Sequence, residues 1–191
     1  MKNLIAFLII FASFNVQAQT KDDALNKRLN EYLTYSKDLK VDVLLNYMYP
    51  KIFEIVTKVQ LKKALEAAYN NADLKISLDS ISIGTVLPID TFANGAFTKF
   101  DYNVKMIITL VTKTYQEKKE GIFENFKNKF GEENVVFDTA TNTFYIYQTK
   151  EALAIKDGFT KNLWTFLGIE EDSKAFSKII PLAIKKKYEI N

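Results

Sequence analysis

The chain has 191 residues, with no cysteine and no histidine, and Arg28 is its single arginine among 26 basic residues. These absences exclude disulfides, thiolate nucleophiles, Cys/His zinc sites and any mechanism that uses an imidazole base. A hydrophobic content of 48% with 14% aromatics can build a core, and a formal charge of +3 carried almost wholly by lysine points away from nucleic acid.

The chain opens on an address. Met1, Lys2 and Asn3 form a short basic start, and Leu4 to Phe14 is an apolar run of 11 residues. Val16 and Ala18 then stand at the two positions a signal peptidase reads. The pattern predicts a secretory signal peptide over residues 1–18, cleaved between Ala18 and Gln19. A helix of that run would rise about 16 Å, well short of a hydrocarbon core of roughly 30 Å. No cysteine follows it, which excludes a lipoprotein anchor, and no Asn-x-Ser/Thr sequon occurs. The expectation is a bacterial periplasmic or secreted protein, with residues 19–191 as one domain and no membrane contact after cleavage.

Helices are expected first. Leu25, Leu29, Tyr32 and Leu33 recur at helical spacing between Asp22 and Leu39, and Asp22 and Asp23 suit a helix start. Val43, Leu44, Tyr47 and Met48 mark a second short helix that Pro50 ends or restarts, and Ile52, Phe53, Ile55 and Val56 mark another apolar turn. Val59 to Tyr69 is rich in helix formers and closes at Asn70 and Asn71.

Strands follow. Lys75 to Val86 alternates but slips phase: Ile76 and Leu78 share one face, Ile81 and Ile83 the other. A β-bulge near Asp79 and Ser80 reconciles them. Pro88, Asn94 and Gly95 mark a long turn, after which Phe100 to Leu110 alternates without a break. Ile122, Phe123, Phe126 and Phe130 predict a helix over 115–130, capped by Gly131. A short strand over 134–138, a turn over 138–142 and a long strand over 143–156 come next. That last strand carries aromatics on both faces, so both are expected to be covered. Asp157 and Gly158 start a turn, Leu163 to Leu167 is a further strand, and Asp172 caps a last helix through Ile180. Lys185, Lys186 and Lys187 begin a polar tail. Helices followed by a mostly antiparallel meander indicate one α+β domain.

The chemistry is sparse. The six glycines form no phosphate loop, no acidic cluster has calcium-loop spacing, and no metal or cofactor is implied. Glu132 and Glu133, and Glu170, Glu171 and Asp172, fit solvated loop and helix-start charges. Acid/base work falls to Asp79, at the expected bulge, and Asp101, at the start of the clearest strand; an apolar pocket would raise either pKa. Asp101 and Tyr102 are neighbours on a strand and face opposite sides, so they cannot serve one pocket together. Tyr102, Met106, Tyr145, Tyr147 and Trp164 are the candidates for a ligand pocket, against the plainer reading that most of the strand aromatics are core.

Three segments carry a resemblance. Asp42 to Phe53 (DVLLNYMYPKIF) is similar to the second-helix region of NTF2-like (cystatin-like) proteins. Glu151 to Lys156 (EALAIK) with Trp164 to Phe166 (WTF) resembles their closing hairpin. Ile180 and Pro181 with Ile184 resemble the tails of secreted Bacteroidetes members. The resemblance implies N-terminal helices packed in a strongly curved, mostly antiparallel sheet, the NTF2-like cone, with 115–131 as a helical insertion at its mouth. Members similar to ketosteroid isomerase or scytalone dehydratase use acid/base residues in the cone, but no matching set occurs here and none is carried over. The implied function is non-enzymatic binding of a small apolar ligand or a protein partner through the cone. The alternatives are a lyase or isomerase built on a buried aspartate, and a structural module that forms a homodimer through its sheet.

Overall fold

A computed structural model describes residues 22–93, 95–169 and 178–190. The expected signal peptide, with Ala18 and Gln19, lies outside the described residues, as does most of the helix expected from Asp172.

Helix α1 (Asp23–Lys37) starts where Asp22 Oδ1 accepts the Leu25 amide at 2.8 Å. It buries Leu25, Leu29 and Leu33, one residue per turn on a single face. Each such leucine is worth roughly 1.5–3 kcal/mol when removed from water. Helix α2 (Val41–Leu44) and a 3-10 turn (Pro50–Glu54) follow, then α3 (Lys58–Tyr69), whose Thr57 and Gln60 form a reciprocal capping box.

The strands are β1 (Leu74–Val86), β2 (Asp90–Phe92), β3 (Gly95–Leu110), β4 (Val135–Asp138), β5 (Thr143–Lys156) and β6 (Thr165–Ile169). They form one open antiparallel sheet. Its spine is the β3–β5 pair, in register from Ala96 opposite Lys156 to Thr109 opposite Thr143. The outer edge of β3 is taken by β1 and then β2, and that of β5 by β4 and then β6. Between β3 and β4 lie α4 (Lys113–Gln116) and α5 (Lys119–Phe130), and near the C-terminus lies α6 (Leu182–Lys187). No described helix is long and apolar enough to cross a membrane.

Strand alternation sorts the core. Phe100, Ala152 and Ala154 lie on one face under α1, with Phe166 and Trp164 beside them. Farther along the same face, Ile108, Leu110, Val135, Phe144 and Ile146 meet the apolar side of α5. Phe144 sits in the middle, stacked on Phe137 at 4.4 Å and edge-on to Phe126 at 5.1 Å. On the opposite face, Phe97, Leu153, Ile155 and Leu167 are covered by Tyr49, Ile52, Ile184 and Tyr188. No described helix covers the rest of that opposite face, where Val136 is 53% and Tyr147 45% exposed. This corrects the expectation that both faces of β5 are covered. Its aromatics divide into a buried Phe144 and a half-exposed to exposed Tyr145 and Tyr147.

The bulge in β1 falls between Leu78 and Ser80, as the phase slip requires, and a second irregularity follows between Ile83 and Val86. The helix expected over 115–130 is instead two, α4 and α5, separated by a turn at Glu117 and Lys118. Four other segments differ from expectation, each for a tertiary reason. Tyr47 and Met48 leave the helical path because the free edge of β6 takes their backbone. The Phe166 amide donates to Tyr47 O at 2.7 Å and the Tyr49 amide to Phe166 O at 2.9 Å. The turn around Pro88 contains β2, and β3 begins at Gly95, five residues before the clean alternation. Both faces are buried there, so polarity no longer alternates. β6 begins at Thr165 rather than Leu163, which is 51% exposed. The lysine tail is the end of α6, held by buried Ile184 and Tyr188.

Candidate functional site

The residues expected to share a pocket are divided by the sheet. Tyr102 and Met106 lie on the helix-covered face, Tyr102 against Phe100 at 6.0 Å and Met106 in the cluster under α5. Tyr145 and Tyr147 lie on the open face, where Lys105 Nζ stands 5.1 and 5.9 Å from their ring centroids. Trp164 is 2% exposed and belongs to the core.

Trp164 is also the centre of a clasp that fixes α1. Its Nε1 donates to Asp22 Oδ2 at 3.2 Å, and its carbonyl accepts from Arg28 Nε at 2.6 Å. The Arg28 guanidinium lies 4.3 Å from the Tyr47 ring centroid, and the Tyr47 hydroxyl donates to Glu31 Oε2 at 3.0 Å. Burial, reinforced by that bond to a carboxylate, pushes the Tyr47 pKa up to about 12, so the phenol stays protonated as a donor. The one arginine thus joins three segments at once. A planar fork with a ring-stacking face does this where a lysine point charge would not.

The two carboxylate candidates are both engaged in structure. Asp79 is exposed at the bulge and pairs with Lys105 Nζ at 2.9 Å. Asp101 Oδ1 accepts the Thr85 amide at 3.0 Å, closing the second irregularity of β1. A Cβ on Gly84 would stand 1.7 Å from that same oxygen, so the carboxylate fills the space the glycine leaves. Asp101 and Tyr102 face opposite sides, as alternation requires. Among the described residues no group of three or more Asp and Glu could hold a metal ion.

Two open clefts carry more of the exposed chemistry. One, of about 480 Å³, runs between α1 and β1. Its floor is Leu33, Ile81, Ile83 and Val86, and its wall is Asn26, Asn30 and Thr34 with Lys37 and Asp38 at one end. Asn26, Asn30 and Thr34 recur every four residues, beside the Leu25, Leu29 and Leu33 stripe, so an uncharged polar row borders the buried one. That row is legible in the sequence as a period of four, but polar helix positions ordinarily read as solvated. A second cleft, also about 480 Å³, lies on the open sheet face and is lined by Ser80, Ser82, Asn103, Lys105, Tyr147 and Thr149, among others. These are the polar partners of the apolar alternation in β1, β3 and β5.

Comparison with protein-family models, with characterised proteins and with solved structures finds no match to this chain.

Proposed function

We propose that the protein is an exported, non-enzymatic binding module that holds a small, largely apolar ligand in the cleft between α1 and β1. The observation that carries this is the pairing of an aliphatic floor (Leu33, Ile81, Ile83, Val86) with an amide and hydroxyl wall (Asn26, Asn30, Thr34). Apolar surface supplies affinity and a few polar groups set orientation, and a volume of about 480 Å³ falls within the usual range for small-ligand sites, about 300–1,000 Å³. The Arg28 and Trp164 clasp holds the wall against the sheet, which keeps the cleft formed without ligand.

The non-enzymatic part rests on chemistry. Histidine and cysteine are missing, and Asp79 and Asp101 are engaged with Lys105 and the Thr85 amide. Export rests on the basic start, apolar run and Ala18–Gln19 junction. The α+β class, with helices packed against an open antiparallel sheet, supports the resemblance to the NTF2-like proteins, and the α1–β1 cleft would lie at one edge of such a cone.

The test is titration of the chain, expressed from Gln19, with the fluorescent fatty acid cis-parinaric acid. Saturable binding is expected, weakened at least tenfold by Ile83→Trp, which fills the floor, at an unchanged thermal midpoint. Unsaturable binding, or equal affinity in the variant, contradicts the reading. N-terminal sequencing of the exported protein is expected to begin at Gln19; a retained Met1 contradicts export by cleavage.

A further inference from the structure

We infer that the open half of the sheet, on the face away from α1 and α5, is a binding platform for a neutral glycan. This is a separate site and does not rest on the α1–β1 reading.

The strand register builds it. Ser80 is opposite Lys105, which is opposite Tyr147; one rung on, Ser82 is opposite Asn103, which is opposite Thr149. Two parallel rows of side chains therefore cross three strands. Neighbouring strands stand about 4.8 Å apart, a spacing commensurate with the repeat of an extended pyranose chain. The hydroxyls of Ser80 and Ser82 both donate and accept, as sugar hydroxyls do, and that of Thr149 keeps its acceptor lone pairs. Asn103 Oδ1 accepts the Thr149 hydroxyl at 2.8 Å, which pre-sets the amide and leaves its Nδ2 donors for a ligand. Tyr147 supplies an exposed ring whose electron-rich face attracts the polarised C–H groups on the flat side of a pyranose.

Charge selects the occupant. Among the described residues that line this cleft the cation is Lys105, and Asp79 matches it at 2.9 Å; three same-face positions away along β3, Lys99 pairs with Glu151 at 2.7 Å. An anionic ligand would have to displace Asp79 from Lys105. A cationic one would meet no carboxylate among the described residues that line the cleft. A second copy of the chain is a poorer fit. Interface cores are depleted in Ser, Lys and Asp, and burying Ser80, Ser82, Asn103 and Thr149 against protein costs free energy unless each finds a partner. A polyol provides those partners. Two of the three strands that carry the rows, β3 and β5, are the central pair of the sheet, which holds their side chains rigidly.

Affinity electrophoresis tests this, with gels containing β-glucan, mannan, xylan or galactomannan, and alginate as the anionic control. Retardation is expected in at least one neutral gel and not in alginate. Tyr147→Ala and Asn103→Ala, both at exposed positions, are expected to weaken it at least tenfold with the thermal midpoint unchanged. Val59→Ser, on the exposed side of α3, is expected to leave it intact. No retardation in any neutral gel, or equal retardation of the Tyr147→Ala variant, overturns the proposal. So does retardation in alginate alone, or a dimer in light scattering that Tyr147→Ala dissociates in the absence of glycan binding.

Discussion

Replacing Arg28 tests the clasp that positions α1, and with it the wall of the proposed ligand cleft. Two interactions are at stake: the Nε bond to the Trp164 carbonyl at 2.6 Å and the guanidinium over the Tyr47 ring at 4.3 Å. A hydrogen bond from a charged donor is worth about 1.5–3 kcal/mol, and a cation–π contact in a partly exposed setting about 0.5–1 kcal/mol. Arg28→Ala is therefore expected to cost about 2–4 kcal/mol. Arg28→Lys keeps the charge and loses the fork, and about 1–2 kcal/mol is expected. For a chain of this length each kcal/mol moves the thermal midpoint by about 2–4 °C, so the alanine variant should melt roughly 4–16 °C lower. Trp164 is the one tryptophan, and it sits inside the clasp, so urea unfolding followed by its fluorescence reads the site directly. Variants within about 0.5 kcal/mol of the parent would refute the reasoning. Equal losses for lysine and alanine would refute the role of the fork while keeping that of the contact.

Three further outcomes follow from the same geometry. Gly84→Ala puts a methyl carbon where Asp101 Oδ1 lies and should release the Thr85 amide, at a cost of about 1–2 kcal/mol. In Gly84→Ala/Asp101→Ala the two losses should be clearly less than additive, and additive losses would remove Asp101 from this role. Lys187 and the Tyr188 hydroxyl hold Asp90 in its charged form and lower its pKa below the usual 3.8. A carboxylate whose pKa falls on folding contributes stability that is present above its unfolded pKa and is lost as pH falls through the folded value. Stability measured between pH 5 and pH 2 should therefore fall less steeply in Asp90→Asn than in the parent, and parallel curves would dismiss the link. Tyr49→Phe removes the hydroxyl that donates to Asp157 Oδ2 at 2.9 Å. It should cost about 1–2 kcal/mol in urea unfolding, and a neutral effect would mean that the bond contributes nothing net.

Where one face of an element meets the core and the other meets water, the sequence was readable. The leucine stripe of α1, the alternation from Phe100 to Leu110 and the phase slip at Asp79 each appear in the structure. Legibility failed where burial is two-sided or where pairing competes with local preference. Residues 95–99 lost their alternation between two covered faces. Tyr47 and Met48 carry a helical pattern, yet the unpaired backbone of β6 recruits them. Lys185 to Lys187 read as polar because the residues that anchor α6, Ile184 and Tyr188, flank the run rather than interrupt it. The pocket set failed for a different reason. Aromatic type says that a side chain will be used, while the parity of its position says on which face. Tyr102 and Met106 share one parity in β3, and Tyr145 and Tyr147 share the other in β5; the β3–β5 register puts the two pairs on opposite sides of the sheet.

The opening counts keep their exclusions: without cysteine or histidine, the chain has neither a disulfide nor imidazole chemistry, whatever its fold. Composition and periodicity also determined the α+β class and most of the strand and helix positions, because one-sided burial writes itself into local spacing. The place of Arg28 was decided only in three dimensions. In the sequence it is one arginine among 25 lysines. In the fold it meets Trp164, 136 residues away, and Tyr47. The two clefts are likewise products of packing. One exists because α1 crosses beside the edge strand, the other because no described helix covers that half of the sheet. Residue type supplies the chemistry of such sites, but which residues stand together depends on strand register and helix placement, and both are set by contacts far apart in the chain.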